Sequence, residues 1–284
     1  MIDDGSELLD LHDFPNEALL ARVYRDLYQP NFSLPEERED LDQYRTRLFG
    51  PAAPPPQPQT HFVVCGRGLH DAAACELHGF VIFEHYRQSG CGLVTFLAVA
   101  PDQRGQGVGR RLMAQARQTL AQSPNDLGDR DLQAIFAEAH DPARVDLAHE
   151  PIDPVARLRI LSRLGAQVVP FRYVQPELRP GAGPSRNLLF LAFPLGAEAG
   201  ACTVPSSALR AFLFEFHQAL GVAEPFQDAD FVAMLASIEA SVHGAAPMAP
   251  AGMLCASLTP CSRLQNTGAR EDLQCPNPQE RNCR

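Results

Sequence analysis

Lysine is absent from the 284-residue sequence, in which all 24 basic residues are arginine. A lysine contacts the phosphates in a P-loop, pairs with ATP in a protein kinase and forms the Schiff base of pyridoxal phosphate enzymes. Its absence therefore excludes these three kinds of site. The 34 acidic residues give a net charge of −10, which argues against sequence-independent binding of nucleic acid or of an anionic membrane and slightly favours a cationic substrate.

Three further patterns are missing. No apolar run reaches the roughly 18 residues of a membrane-spanning helix, and the acidic start differs from the basic start of a secretory signal. The eight cysteines follow no zinc or disulfide spacing, and no pattern of His, Cys and acidic residues predicts a metal site. We therefore expect a cytoplasmic protein that binds no metal, nucleic acid or membrane.

The spacing of apolar residues predicts the element order βααβββαβαββ up to about residue 195. The predicted strands are residues 8–15, 61–66, 76–86, 92–100, 132–140, 167–174 and 187–193, and the predicted helices are residues 16–27, 33–48, 107–122 and 153–164. Between the second helix and the second strand, the proline-rich residues 50–59 predict a semi-rigid connector.

The sequence changes character after residue 196. Amphipathic helices are predicted over residues 206–220 and 228–242, and they could pack on the core or on a second subunit in a homodimer. Residues 245–284 have no periodicity, so this segment is predicted to be disordered. We therefore expect a main domain at residues 1–196, a helical extension at 197–244 and a disordered tail.

A glycine-rich turn joins an apolar strand to a helix within residues 94–113. Such a turn presents unpaired amide groups and the positive end of the helix dipole, which suit phosphate oxygens. Glycine lets a ligand approach the main chain, and Arg104, Arg110 and Arg111 add positive charge. The dinucleotide-binding fingerprint is broken, because Arg110 stands where that fingerprint requires glycine, and the P-loop motif lacks its lysine.

The apolar strand followed by Pro101, Arg104, Gly107 and Gly109 resembles the acetyl-CoA motif of the GNAT superfamily of N-acetyltransferases, (Gln/Arg)-x-x-Gly-x-(Gly/Ala). The predicted element order is similar to that of the family as well. The resemblance implies a mixed α/β (α+β) fold with a mostly antiparallel central sheet of about seven strands flanked by helices. It also implies acetyl-CoA as the acyl-donor co-substrate. In the implied site the pantetheine is lined by Leu97, Ala98 and Val99, and the pyrophosphate is held by Arg104, Gly105, Gln106, Gly107, Val108 and Gly109.

Acyl transfer to an amine requires a group that takes a proton from the ammonium form. Strand alternation places Glu138 on one face with Phe136, where partial burial would raise the pKa of its carboxyl group. Glu138 is therefore the candidate base or ammonium anchor, although an ion pair with Arg172 or Arg144 would also explain it. Glu84 is a second candidate, and it could equally be a solvated glutamate at a strand end.

The general acid departs from the family pattern. Many GNAT members carry a tyrosine in the helix after the fifth strand, which protonates the departing thiolate. Leu161 stands at that position here, so Tyr173 is the candidate substitute, unless the thiolate leaves unprotonated or through water. His85 and His140 are predicted to be structural rather than catalytic.

Functions from different classes remain open. The resemblance implies a bacterial enzyme that transfers an acetyl or short acyl group from CoA to a primary amine of a small molecule or peptide, and Glu138 and the intact motif favour it. The alternative is a catalytically weak acyl-CoA sensor that acts through the C-terminal helices, which Leu161 favours. A helical interaction protein with an α/β scaffold would leave the glycine motif unexplained.

Overall fold

The computed structural model describes residues 5–32, 38–124, 131–145, 153–178, 181, 183–195, 203–239, 245–247 and 249–250. Its strands are β1 (Glu7–Asp10), β2 (Gln59–Arg67), β3 (Glu76–Tyr86), β4 (Cys91–Val99), β5 (Ala134–His140), β6 (Gln167–Val168), β7 (Leu188–Phe193), β8 (Thr203–Pro205), β9 (Ala245–Pro247) and β10 (Ala249–Pro250). Its helices are α1 (Glu17–Val23), α2 (Gln29–Asn31), α3 (Leu41–Phe49), α4 (Val108–Gln122), α5 (Pro154–Arg163), α6 (Ser206–Ala219) and α7 (Ala229–Glu239).

The central sheet has the strand order β1-β2-β3-β4-β5-β7-β6-β10. Each neighbouring pair is antiparallel except β4 and β5, which run parallel. The predicted mixed α/β fold with a mostly antiparallel sheet of about seven strands is therefore confirmed, and the two-residue strand β10 extends this sheet at one edge.

Strands β4 and β5 separate part-way along their length. Their pairing covers Cys91–Val94 and Ala134–Ala137 only, while β4 continues to Val99 and β5 to His140. A β-bulge at Thr95 interrupts the pairing of β4 with β3 at the point where the separation begins. Because a bulge bends its strand, the bulge helps to open a gap in the middle of the sheet.

Helices cover both faces of the sheet. On one face, α4 and α5 pack on apolar side chains of the central strands. On the other face, α1 and α3 cover the half that contains β1, β2 and β3, while α6 and α7 cover the half around β5 and β7. Phe212 of α6 lies 4.7 Å from Phe136 and 6.0 Å from Phe190 between ring centroids. The predicted helical extension therefore packs on the core of its own chain.

Several helix ends follow local signals in the sequence. Asn16 accepts a hydrogen bond from the amide of Leu19 and begins α1, as a capping residue does. Gly165 adopts φ +98° just after α5, so it ends this helix in the left-handed conformation that favours glycine. The predicted start of the first helix and the predicted end of the fourth helix therefore agree with the structure.

Other predicted boundaries are wrong. The first helix continues beyond Leu27, through a π-helical segment at Tyr24–Tyr28, to the end of α2. The predicted helix 33–48 begins only at Leu41, because the side chains of Asp40 and Gln43 form a capping box there. Its predicted start at residues 33–37 lies outside the described residues.

The predicted strand 167–174 is reduced to β6, since Pro170 has no amide hydrogen to continue a ladder. From the predicted disordered tail, the structure describes only β9 and β10, and residues 251–284 lie outside the described part. No helix among the described residues is long and apolar enough to cross a membrane.

Candidate active site

A cleft of about 1770 Å³ passes through the gap between β4 and β5. One end is lined by the glycine-rich turn, which includes Gly105 and Gly107. The other end, on the face covered by α3 and α6, is lined by Glu84, Glu138 and Phe216. A single cleft therefore joins the predicted phosphate-binding turn to both candidate carboxylates.

The glycine-rich turn has the backbone that the sequence predicts. Gly105 and Gly107 have φ of +81° and +87°. Gly107 is the N-cap residue of α4, so no side chain there bonds to the first amides of the helix. A Cβ atom at either glycine would meet nothing within 4 Å, so open space lies beside the first amides of α4. Open space next to unpaired amides at a helix N-terminus fits a phosphate group.

The remaining residues of the motif have different surroundings. A Cβ atom on Gly109 would lie 3.7 Å from Val99 and 3.8 Å from Leu164, which is ordinary packing distance. The side chain of Gln106 donates to the carbonyl oxygen of Asp102 at 2.9 Å and is exposed. Within the described chain, Gln106 is the one member of the predicted pyrophosphate set that does not line the cleft.

The side chains of the three arginines near the glycine-rich turn have different contacts. Arg104 donates through Nε to the carbonyl oxygen of Val99 at 3.3 Å and through Nη2 to Asn31 at 3.4 Å, and Arg110 lines the cleft. Arg111 instead donates to the hydroxyl and carbonyl oxygens of Ser6. Successive helix residues are rotated by about 100°, so Arg111 points towards the residue before β1, and it is not among the described residues that line the cleft.

The predicted pantetheine residues Leu97, Ala98 and Val99 all line the cleft. One edge of this part of β4 pairs with β3, and its pairing with β5 has already ended at Val94. The second edge is therefore not paired with β5 here, and an extended ligand could pair with it as an added strand does, once Arg104 leaves the carbonyl oxygen of Val99.

Glu138 lies on β5 with neutral hydrogen-bond donors around it. The hydroxyl of Tyr173 donates to Oε1, and Nε2 of Gln175 donates to Oε2 at 2.8 Å. Burial raises the pKa of Glu138 to about 7, although both hydrogen bonds act in the opposite direction. Arg144, which could have paired with Glu138, forms an ion pair with Asp141 at 3.3 Å.

Glu84 faces the same cleft from β3. The hydroxyl of Tyr86 donates to Oε2 at 2.8 Å, and Arg47 lies 3.4 Å from Oε1. Arg47 also pairs with Glu39 at 2.7 Å, so one guanidinium group serves two carboxylates. Burial raises the pKa of Glu84 to about 7, with Glu39 raising it further and Arg47 lowering it. Glu84 is thus buried rather than solvated.

Residues 58–144 match the family model of the acetyltransferase (GNAT) domain. The chain contains a GNAT domain. No curated protein matches the chain. In the part of the chain that the structure describes, no group of three or more His, Cys, Asp or Glu side chains could hold a metal ion.

Solved structures of acetyltransferases are similar to this chain at low identity. An aminoglycoside 6'-N-acetyltransferase complexed with coenzyme A is 18% identical, with 66% of this chain and 95% of that chain covered and a TM-score of 0.42. The ribosomal-protein-S18-alanine N-acetyltransferase from Escherichia coli is 15% identical, with 69% of this chain and 96% of that chain covered and a TM-score of 0.38. Nourseothricin acetyltransferase is 19% identical, with a TM-score of 0.32, and the match covers 48% of this chain and 66% of that one.

The tyrosine that lines the cleft is not the predicted one. Tyr173 is buried and bonded to Glu138, and it is not among the described residues that line the cleft, whereas Tyr86 lines it. Burial raises the pKa of both phenols well above the ordinary value, so both stay protonated at neutral pH. Leu161 lines the cleft at the position where many family members carry tyrosine.

Sequence reasoning missed several residues that line the cleft. Strand alternation could have identified Tyr86, which lies two residues beyond Glu84 on the same face. Arg47, Gln175 and the proline-rich connector also line the cleft, but they reach it only through chain folding, for which no spacing rule exists. Of the two histidines predicted to be structural, His85 is buried, while His140 lines the cleft.

Proposed function

We propose that this protein transfers an acetyl group from acetyl-CoA to a primary amine of a small molecule or peptide. The observation that carries the proposal is the continuous cleft between the open glycine turn and the partly buried carboxyl group of Glu138. Such a cleft allows an anionic donor to enter from one face of the sheet and an amine from the other.

The residues present fit the donor. The turn at residues 104–109 would hold its pyrophosphate through main-chain amides, and the free edge of β4 at residues 97–99 would pair with its amide-containing arm. Bound acetyl-CoA supplies the activated acyl group. Because Arg104 occupies the carbonyl oxygen of Val99, donor binding would require that side chain to move.

Glu138 is the proposed proton acceptor. A carboxyl group with a pKa of about 7 is ionised in about half of the molecules at neutral pH, and it can take a proton from an ammonium group. Tyr173 and Gln175 hold the two oxygens of this carboxyl group in place. Glu84 and Tyr86 form the opposite wall, where they could bind the acceptor.

The alternative of an acyl-CoA sensor is less well supported. A sensor that acts through the C-terminal helices needs an apolar surface for a partner. Phe212 and Phe216 of α6 are buried against the sheet, and the large apolar side chains that this segment exposes are Phe226 and Val232. Phe216 also lines the cleft, so the extension contributes directly to the acceptor end.

The test is a thiol-release assay with acetyl-CoA across polyamines, aminoglycosides, amino acids and peptides, preceded by calorimetric titration with acetyl-CoA, CoA and NADH. With an accepted amine, kcat/KM should rise with pH through about 7, because the base acts only when it has lost its proton. Glu138→Gln should lower turnover while leaving the affinity for acetyl-CoA intact, and the exposed Glu224→Gln is the matched control. Failure to bind acetyl-CoA and CoA would reject the function, and unchanged turnover in Glu138→Gln would reject the base.

A further inference from the structure

Helix α7 contacts the connection between β6 and β7 at two points. The thioether sulfur of Met234 accepts a hydrogen bond from the amide of Val174 at 3.2 Å, and Asp230 forms an ion pair with Arg186. Asp230 and Met234 are four residues apart, so they lie on the same face of the helix, one turn from each other. One face of α7 therefore holds both arms of this connection.

The two arms are also bonded to each other. Gln175 and Ser185 exchange both of their backbone hydrogen bonds at 2.9 Å. Tyr173 and Gln175 flank Val174, and both donate to the carboxyl group of Glu138. The segment that orients Glu138 is thus attached to α7 at its central residue.

The contact between Val174 and Met234 is buried. Val174 is 3% exposed and Met234 is fully buried. A buried amide that loses its acceptor costs about 1–3 kcal/mol, and a thioether is only a weak acceptor. A side chain of similar volume without sulfur would keep the packing but leave the Val174 amide unpaired. A shift of residues 173–175 away from Glu138 would then lower the free energy by letting this amide find another hydrogen-bond partner.

We propose that Met234 and Asp230 are positioning residues, through which α7 holds Tyr173 and Gln175 against Glu138. The extension is then part of the apparatus that orients the proton acceptor, not a separate appendage. The catalytic meaning of this inference rests on the proposed function, whereas its structural content does not.

The test is the titration of the Glu138 carboxyl carbon by NMR in protein with ¹³C-labelled glutamate, with the signal assigned by its loss in Glu138→Gln. The hydrogen bonds from Tyr173 and Gln175 lower the pKa of Glu138. Met234→Leu should weaken them, so we expect its midpoint to lie above the wild-type value of about 7 by about half a pH unit or more. The acid limb of kcat/KM should move in the same direction.

Met113→Leu is the matched control, since Met113 is 3% exposed in α4 on the opposite face of the sheet. It should leave the midpoint unchanged, because it removes a buried sulfur without touching this segment. Equal midpoints in wild type and Met234→Leu, or an equal shift in Met113→Leu, would overturn the proposal.

Asp230→Ala tests the second contact from the surface of the protein and replaces Met234→Leu if that variant does not fold. Its midpoint should also rise, and an unchanged midpoint would count against the role of α7. If wild type acetylates no amine, the proposed function fails, and the NMR titration still decides whether α7 positions the residues around Glu138.

Discussion

Phe212→Ala should destabilise the whole fold, because Phe212 joins the C-terminal helices to the sheet. Its side chain is fully buried, and its ring lies 5.1 Å from Tyr86 and 4.7 Å from Phe136 between centroids. Phe190 and Phe216 lie 6.0 Å and 5.5 Å away. Removal of a phenylalanine ring from such a core costs about 3–5 kcal/mol, of which part reflects the cavity that remains.

Urea unfolding followed by far-UV circular dichroism measures this loss. We expect one transition, with the free energy of unfolding lowered by about 4 kcal/mol. Phe14→Ala is the matched control: the same ring is removed, but the side chain is 60% exposed, so the change should stay within about 0.5 kcal/mol. A loss below about 1 kcal/mol for Phe212→Ala, or a separate early transition of the helices, would refute their integration into the core.

Two further predictions concern the cleft. Gly107→Glu should abolish binding of acetyl-CoA in a calorimetric titration, because the new carboxylate would enter the open space where phosphate is expected. Gly68→Glu, at another exposed glycine with positive φ, controls for backbone strain. Retained affinity in Gly107→Glu would contradict the role of the turn. The wild type should lose stability as pH rises from about 4.5 to 7, because folded Glu138 keeps its proton up to about 7 while the unfolded group ionises near 4.5. We therefore compare the free energy of unfolding of Glu138→Gln with that of the wild type by urea unfolding at pH 5 and pH 8. The difference, variant minus wild type, should be about 2–3 kcal/mol more favourable to the variant at pH 8 than at pH 5. An equal difference at both pH values would contradict the raised pKa of Glu138.

The parts of the site that local rules govern were predictable. Positive φ at Gly105 and Gly107 follows from the conformational freedom of glycine at a helix start, and strand alternation placed Glu138 on the same face of its strand as Phe136. Contacts between distant segments could not be predicted. Arg111 donates to Ser6, 105 residues earlier in the chain. Tyr173 donates to Glu138 and is not among the described residues that line the cleft.

The sequence by itself determined which chemistry was excluded and where the glycine-rich turn lies, since the absence of lysine and the glycine spacing depend only on residue identity and local backbone sterics. It also determined that a carboxylate would face the sheet interior at Glu138. Only the tertiary structure decided what surrounds this carboxylate. The hydrogen bonds from Tyr173 and Gln175 to Glu138, and the bond from the amide of Val174 to Met234, arise from packing between segments far apart in the chain, and such packing leaves no periodic signal in the sequence.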